Sequence, residues 1–145
     1  MITKLKWWMR IVGSFYLFLS FAAIVLRLPI RVEGPKGVLD QATAGNQLAN
    51  FVVDTWITYG LDLLVIGAAL LIASRKPERA KVLILTVIGL ELVRGIGADL
   101  YKIIRGYELS AEIIWIVIHS VIVLTGLRFL GWRAGKTGRT DSMPR

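Results

Sequence analysis

Four apolar runs, each about 20 residues long, dominate this chain. About 20 residues of helix are what a 30 Å hydrocarbon layer requires at 1.5 Å of rise per residue. The runs extend from Met9 to Leu28, Phe51 to Ala73, Val82 to about Ile104 and Ile113 to about Leu130. A chain of 145 residues has the size of one domain. Its hydrophobic fraction of 55% exceeds what a soluble domain of that length carries. The expected fold is therefore all-α. It is a four-transmembrane-helix bundle occupying residues 1–132 as a single domain, with helices near 9–28, 51–73, 82–104 and 113–130. A flexible polar tail follows over 133–145.

Charge sets the expected orientation. Lys and Arg number 18 against 10 Asp and Glu, a net charge of +8. The basic residues collect between the apolar runs rather than on one water-exposed face, which argues against a nucleic-acid partner. Twelve of them lie in the N-terminus, the SRKPERAK loop (74–81) and the C-terminal segment, and five lie on the opposite side. By the positive-inside rule both termini are cytoplasmic, with the lipid bilayer of a bacterial inner membrane as the surroundings. Trp7, Trp8 and Trp132 are then expected at the cytoplasmic interface, where amphipathic rings prefer to sit. The first run is longer than the apolar core of a signal peptide and crowded with aromatics, so it is expected to be retained. The long connection from Pro29 to Asn50, with its GPKG turn, is expected as a surface loop, a short interfacial helix being the alternative.

The second and third runs contain charges where leucines would be expected. Counted from the cytoplasmic ends, Asp62 lies about 16 Å deep, Glu91 about 14 Å and Arg94 about 18 Å, and His119 lies about 9 Å from the outer end of the fourth helix. Asp54 and Asp99 lie nearer the outer interface. A lone charge at the bilayer centre costs at least about 2.5 kcal/mol, so these groups must turn inward and pair. Asp54, Thr58 and Asp62 share one face of the second helix at i, i+4, i+8. Glu91 and Arg94 are i, i+3 neighbours whose face continues through Ala98 and Lys102. Glu112, Trp115, His119 and Gly126 form a stripe on the fourth helix. The expected site is a polar midplane cluster of Asp62, Glu91, Arg94 and His119, with Arg94 bridging Glu91 and Asp62. Such a cluster serves equally well as a structural spine, because buried ion pairs hold helices in register, or as a functional site, because charges in a membrane are expensive to keep.

Several chemistries are excluded by what the sequence lacks. There is no cysteine, hence no disulfide, thiolate metal site or cysteine nucleophile. With one histidine, a zinc or haem centre would rest mostly on carboxylates, so no metal and no cofactor is expected. GxGxxG, Walker, GxSxG and HExxH patterns are all missing. Gly60 and Gly67 on the second helix and Gly89, Gly95 and Gly97 on the third would let those two helices approach closely, or would form a face between two copies of the chain.

Three segments together, KLKWWMRIVGSFY at the start, LELVRG in the third run and WIVIH in the fourth, resemble the BphX-like family of small bacterial inner-membrane proteins. The resemblance extends from about Leu5 to Leu130. It implies four membrane helices and transfers no catalytic residue, since the family has no assigned activity. Its naming after a gene beside biphenyl-degradation enzymes implies an association with aromatic or other apolar compounds. The reading preferred here is non-enzymatic: binding or passing a small apolar molecule. Arg94 would hold a carboxylate or carbonyl of that ligand, and Tyr16, Trp56 and Trp115 would line the cavity. Two others stand beside it. One is a membrane enzyme of isomerase or proton-transfer type, with Glu91 or Asp62 as base and His119 as acid. The other is an accessory subunit that meets a membrane protein partner through its charges.

Overall fold

A computed structural model describes residues 2–28, 31 and 37–137, and among these every regular element is helical. The elements are α1 (Ile2–Ile24), α2 (Val38–Thr43), α3 (Gln47–Ala73), a 3-10 turn (Pro77–Arg79), α4 (Lys81–Leu90), a π turn (Glu91–Ile96), α5 (Gly97–Ile104) and α6 (Leu109–Thr137). The all-α expectation holds for them. Three helices are long and apolar enough to cross a membrane: Thr3–Ile24, Gln47–Ala73 and Leu109–Gly131. The run 81–104 is not among them, because it carries Glu91, Arg94, Asp99 and Lys102 and is divided by the π turn. Its backbone is nonetheless helical throughout, with Leu90, Glu91, Ile96 and Gly97 all in the right-handed region.

Helix boundaries follow local chemistry more than the ends of the apolar runs. α1 begins at Ile2 because Lys4 and Lys6, on either side of Leu5, do not interrupt the buried face of Leu5, Trp8 and Met9. Between α1 and α3, the expected surface connection contains α2, entered through Gly37 at a positive φ of 75°. Val38 on α2 packs with Ala49 and Val53 on α3, and Trp56 closes over them. The Asn46 side chain accepts a hydrogen bond from the Ala49 amide at 3.1 Å, an N-cap that starts α3 ahead of Phe51. The remainder of the GPKG turn lies outside the described residues. α5 ends in a Schellman pattern: Tyr107 N–H bonds the Lys102 carbonyl at 3.1 Å and Gly106 N–H that of Ile103 at 3.0 Å, with Gly106 at φ 85°. α6 continues through Thr137, so the polar tail expected from residue 133 is helical over its first five positions. The rest of it lies outside the described residues.

The chain divides into two compact units, residues 10–72 and residues 1–9 with 73–145. In the first, α1 and α3 meet through glycine. A β-carbon on Gly67 would stand 2.8 Å from the Gly13 carbonyl oxygen, and one on Gly60 2.8 Å from Ile24 Cγ1. This redirects the expectation for these glycines. Gly60 and Gly67 admit α1, whereas the β-carbon position of Gly89 on α4 faces open space. Only a residue without a side chain permits so close a backbone approach.

In the second unit Leu5, Met9, Ile84, Val87, Ile88, Ile122 and Val123 form the buried apolar contacts. Trp8, expected at an interface, packs into this unit. Its ring fills the space above Gly126, whose β-carbon would lie 2.9 Å from Trp8 Cζ2. Its indole N–H donates to Thr125 Oγ1 at 3.0 Å, so burial leaves no polar atom unsatisfied. Trp7, on the next face of α1, is exposed, and the Trp132 side chain lies outside the described residues.

Candidate functional site

Large apolar side chains cover the outside of these helices while carboxylates are buried, the reverse of a water-soluble arrangement. Ile11, Phe18, Val65, Val93, Ile104 and Leu124 are 61–82% exposed, and Glu91, Asp99 and Glu112 are 4–5% exposed. All three of those carboxylates sit in the second unit, where α6 faces the 81–104 helix.

The π turn places two of them. An α-helix rotates about 100° per residue, and a π turn, with its i→i+5 bonds, rotates about 80°. In uninterrupted α-helix Asp99 would lie about 80° around from Glu91. Five π steps reduce that offset to about 20° and bring both carboxylates onto one face. The same turn carries Arg94 away from Glu91, from about 60° in α geometry to nearly twice that. Glu91 and Asp99 are accordingly buried and Arg94 is exposed. π turns of this kind are frequent at functional sites because they re-aim side chains at the cost of one residue of register.

Between the two carboxylates lies His119 of α6. Its Nδ1 is hydrogen-bonded to Glu91 Oε2, and its Nε2 faces Asp99 Oδ2 at 3.5 Å. Gly95, inside the π turn, makes room for the ring, since a β-carbon there would stand 2.7 Å from His119 Cγ and Nδ1. Trp115, one turn away on α6, lies against the ring at 6.0 Å between centroids and 27° between planes. The array continues outward: Lys102 Nζ donates to Asp99 Oδ1 at 3.2 Å and to Glu112 Oε2 at 3.1 Å. One ammonium, itself 31% exposed, thus serves two carboxylates that are 6% and 7% exposed. Charge-assisted bonds of this type are about twice as strong as neutral ones. Asp99 Oδ2 alone is buried without a hydrogen-bond partner among the described residues.

The site is therefore Glu91, His119, Asp99, Lys102 and Glu112. Of the residues expected from sequence, Glu91 and His119 are brought into direct contact. Arg94 lies on the exposed side of the π turn and Asp62 on the exposed side of α3, in the other unit. Sequence reasoning placed Asp99 nearer the outer interface and left Lys102 and Glu112 outside the cluster. The Glu112–His119 stripe was a usable signal for the last of these. Asp99 had none, because its direction depends on the extra residue of the π turn. No group of three or more His, Asp or Glu side chains among the described residues could hold a metal ion.

No solved structure matches the chain. Uncharacterized BphX-like proteins of Burkholderia cepacia and Paraburkholderia xenovorans (strain LB400) are each 35% identical to it over 91 residues. Those 91 residues are 62% of this chain and 63% of each relative, so the match spans less than two thirds of their length. The BphX-like family description covers much more of the chain, residues 2–137. The chain belongs to the BphX-like family.

Proposed function

We propose that this is a four-span protein of the bacterial cytoplasmic membrane, both termini inside, that binds or passes a small, largely apolar molecule. The 81–104 run supplies the fourth span: 24 residues of helix cover about 36 Å, enough for the hydrocarbon layer despite its charges. Its charges are tolerable in lipid because Glu91 and Asp99 point inward, while Leu92, Val93, Leu100 and Ile104 point out. Orientation follows from the basic residues of the 74–81 loop and the two ends of the chain.

One observation carries the binding reading. His119 is held between two buried carboxylates, under an indole ring, inside helices whose outer faces are apolar. Charges kept in such a place are a functional hypothesis by default. A ligand with an apolar body and a hydrogen-bonding head would meet Trp115 with the one and the carboxylate–imidazole array with the other. Arg94, at midplane depth on the same helix as Glu91, would be the cation for an acidic or carbonyl head. Native mass spectrometry of the protein in lipid nanodiscs tests this. A stoichiometric small molecule, lost in the Glu91→Gln/His119→Gln double variant, is the expected result. An empty site in the folded wild type, or retention by the variant, would overturn the reading. Co-purification of a larger membrane protein or of a second copy would point to an assembly role.

The direct Glu91–His119 hydrogen bond favours a second reading, proton-transfer catalysis on a lipid-soluble substrate. Glu91 would be the base and His119 the acid. Turnover unchanged in His119→Ala would remove that role.

A further inference from the structure

We infer that the Glu91–His119–Asp99 triad binds an exchangeable proton, one more than two carboxylates and a neutral imidazole carry. The inference rests on the functional reading of this site above and concerns protons rather than the larger ligand. It follows from counting. The triad contains two nitrogen–oxygen approaches: Nδ1 to Glu91 Oε2 and Nε2 to Asp99 Oδ2. Each needs a hydrogen between its atoms, because ionised carboxylates only accept. A neutral imidazole brings one.

With the hydrogen on Nδ1, Glu91 is satisfied and the bare Nε2 lone pair faces a carboxylate oxygen. Both are acceptors, inside the protein, with no donor between them. With the hydrogen on Nε2, the same conflict moves to Glu91. A second proton resolves either case, as an imidazolium bridging two carboxylates or as a protonated Glu91 donating to Nδ1. Asp99 Oδ2 marks the place: it is buried and, among the described residues, without a hydrogen-bond partner, with His119 Nε2 at 3.5 Å. A buried acceptor without a donor costs about 1–3 kcal/mol, and a proton fills it without enlarging the site.

The surrounding charges point the same way. Among the described residues Lys102 pairs with both Asp99 and Glu112, and with Glu91 the three carboxylates and that ammonium carry a formal net charge of −2. A second proton on the triad reduces that excess to −1. Arg94 lies one turn along the same helix from Glu91, on its exposed side. The stretch of α1 in this unit, which carries Lys4 and Lys6, meets α6 at Thr125, about 9 Å of helix away from His119. Release of the proton leaves Nδ1–H on Glu91 and a bare Nε2, and rebinding restores a hydrogen to both approaches. Toward the 105–108 turn, Asp99 passes to Lys102 and Glu112, so proton exchange with that end of the helices has side chains to follow.

The chain has a single histidine, so its ring nitrogens give two unambiguous signals. Nitrogen-15 NMR of the protein in lipid nanodiscs at neutral pH counts the protons directly. Both nitrogens protonated, or Nε2 alone together with a protonated Glu91 carboxyl in its carbon-13 signal, is the expected result, and Nε2 alone beside an ionised Glu91 would overturn it. Nδ1 alone protonated, with Nε2 bare, would overturn the inference. In Asp99→Asn, which keeps the shape and removes the charge, the ring should revert to Nδ1–H alone, and a spectrum identical to the wild type would also overturn it. If Asp99→Asn does not fold, the wild-type spectrum decides alone. The two proposals fail separately. A bare Nε2 with a co-purifying ligand leaves the binding reading standing. A doubly protonated ring with an empty mass spectrum leaves the proton site without the ligand.

Discussion

Gly67 and Gly95 sit at close helix contacts of their respective units, and what fills the space beside each differs. Next to Gly67 is the backbone of α1, with the Gly13 carbonyl oxygen 2.8 Å from where a β-carbon would be. Next to Gly95 is the His119 ring. Two apolar helices gain little from each other in a medium as apolar as they are, so close packing and interhelical hydrogen bonds must supply the attraction. The 10–72 unit relies on backbone approach at this contact. The other unit uses glycine to seat an imidazole ring. The first arrangement is rigid because neither backbone can retreat. The second is adjustable, because an imidazole can turn.

That contrast is open to breaking. Gly67→Ala is expected to cost the most, about 3 kcal/mol, at the upper end for overpacking because the obstacle is backbone. Thermal unfolding of the reconstituted protein would show it, and a wild-type melting curve would mean the helices part easily at that point. Gly95→Ala is expected to cost less, about 2 kcal/mol, the price of leaving Glu91 and Asp99 without the ring. Its signature lies elsewhere: the histidine nitrogen signals should change to those of a ring with no carboxylate partner. Retention of the wild-type ring signals would show that the π turn relaxes instead. Thr125→Val, which removes the acceptor for the Trp8 indole, should cost about 1 kcal/mol and shift tryptophan emission. If it costs as much as Gly67→Ala, the hydrogen bond at Trp8 matters more than its packing over Gly126.

Much of the site was legible before any coordinates, and the part that was not has an identifiable cause. Glu91 and His119 stood out because a charge and an imidazole inside apolar runs have few reasons to be there. Glu112 lay on the His119 stripe of α6, two turns away. Asp99 and Lys102 were left outside the expected cluster because α-periodicity was carried straight through residues 91–96. The π turn adds a residue there, and every position after it changes face. Trp8 illustrates another limit. Next to Trp7, with Lys6 before the pair and Arg10 just after it, it reads as an interfacial anchor, yet Gly126, more than a hundred residues away, opens the space that buries it.

The sequence by itself determined the all-α class, the apolar runs of spanning length and the presence of charges that had to be buried. Those properties are local: each follows from composition and spacing within about 20 residues, the scale on which a helix and a hydrocarbon layer are matched. Tertiary structure alone decided which charges meet. Helix direction accumulates error with every residue, so one turn of different pitch reassigns the partners downstream. The glycines that admit a neighbour, Gly67 for a backbone and Gly95 for a ring, are identical in sequence terms and differ only in what the fold brings beside them.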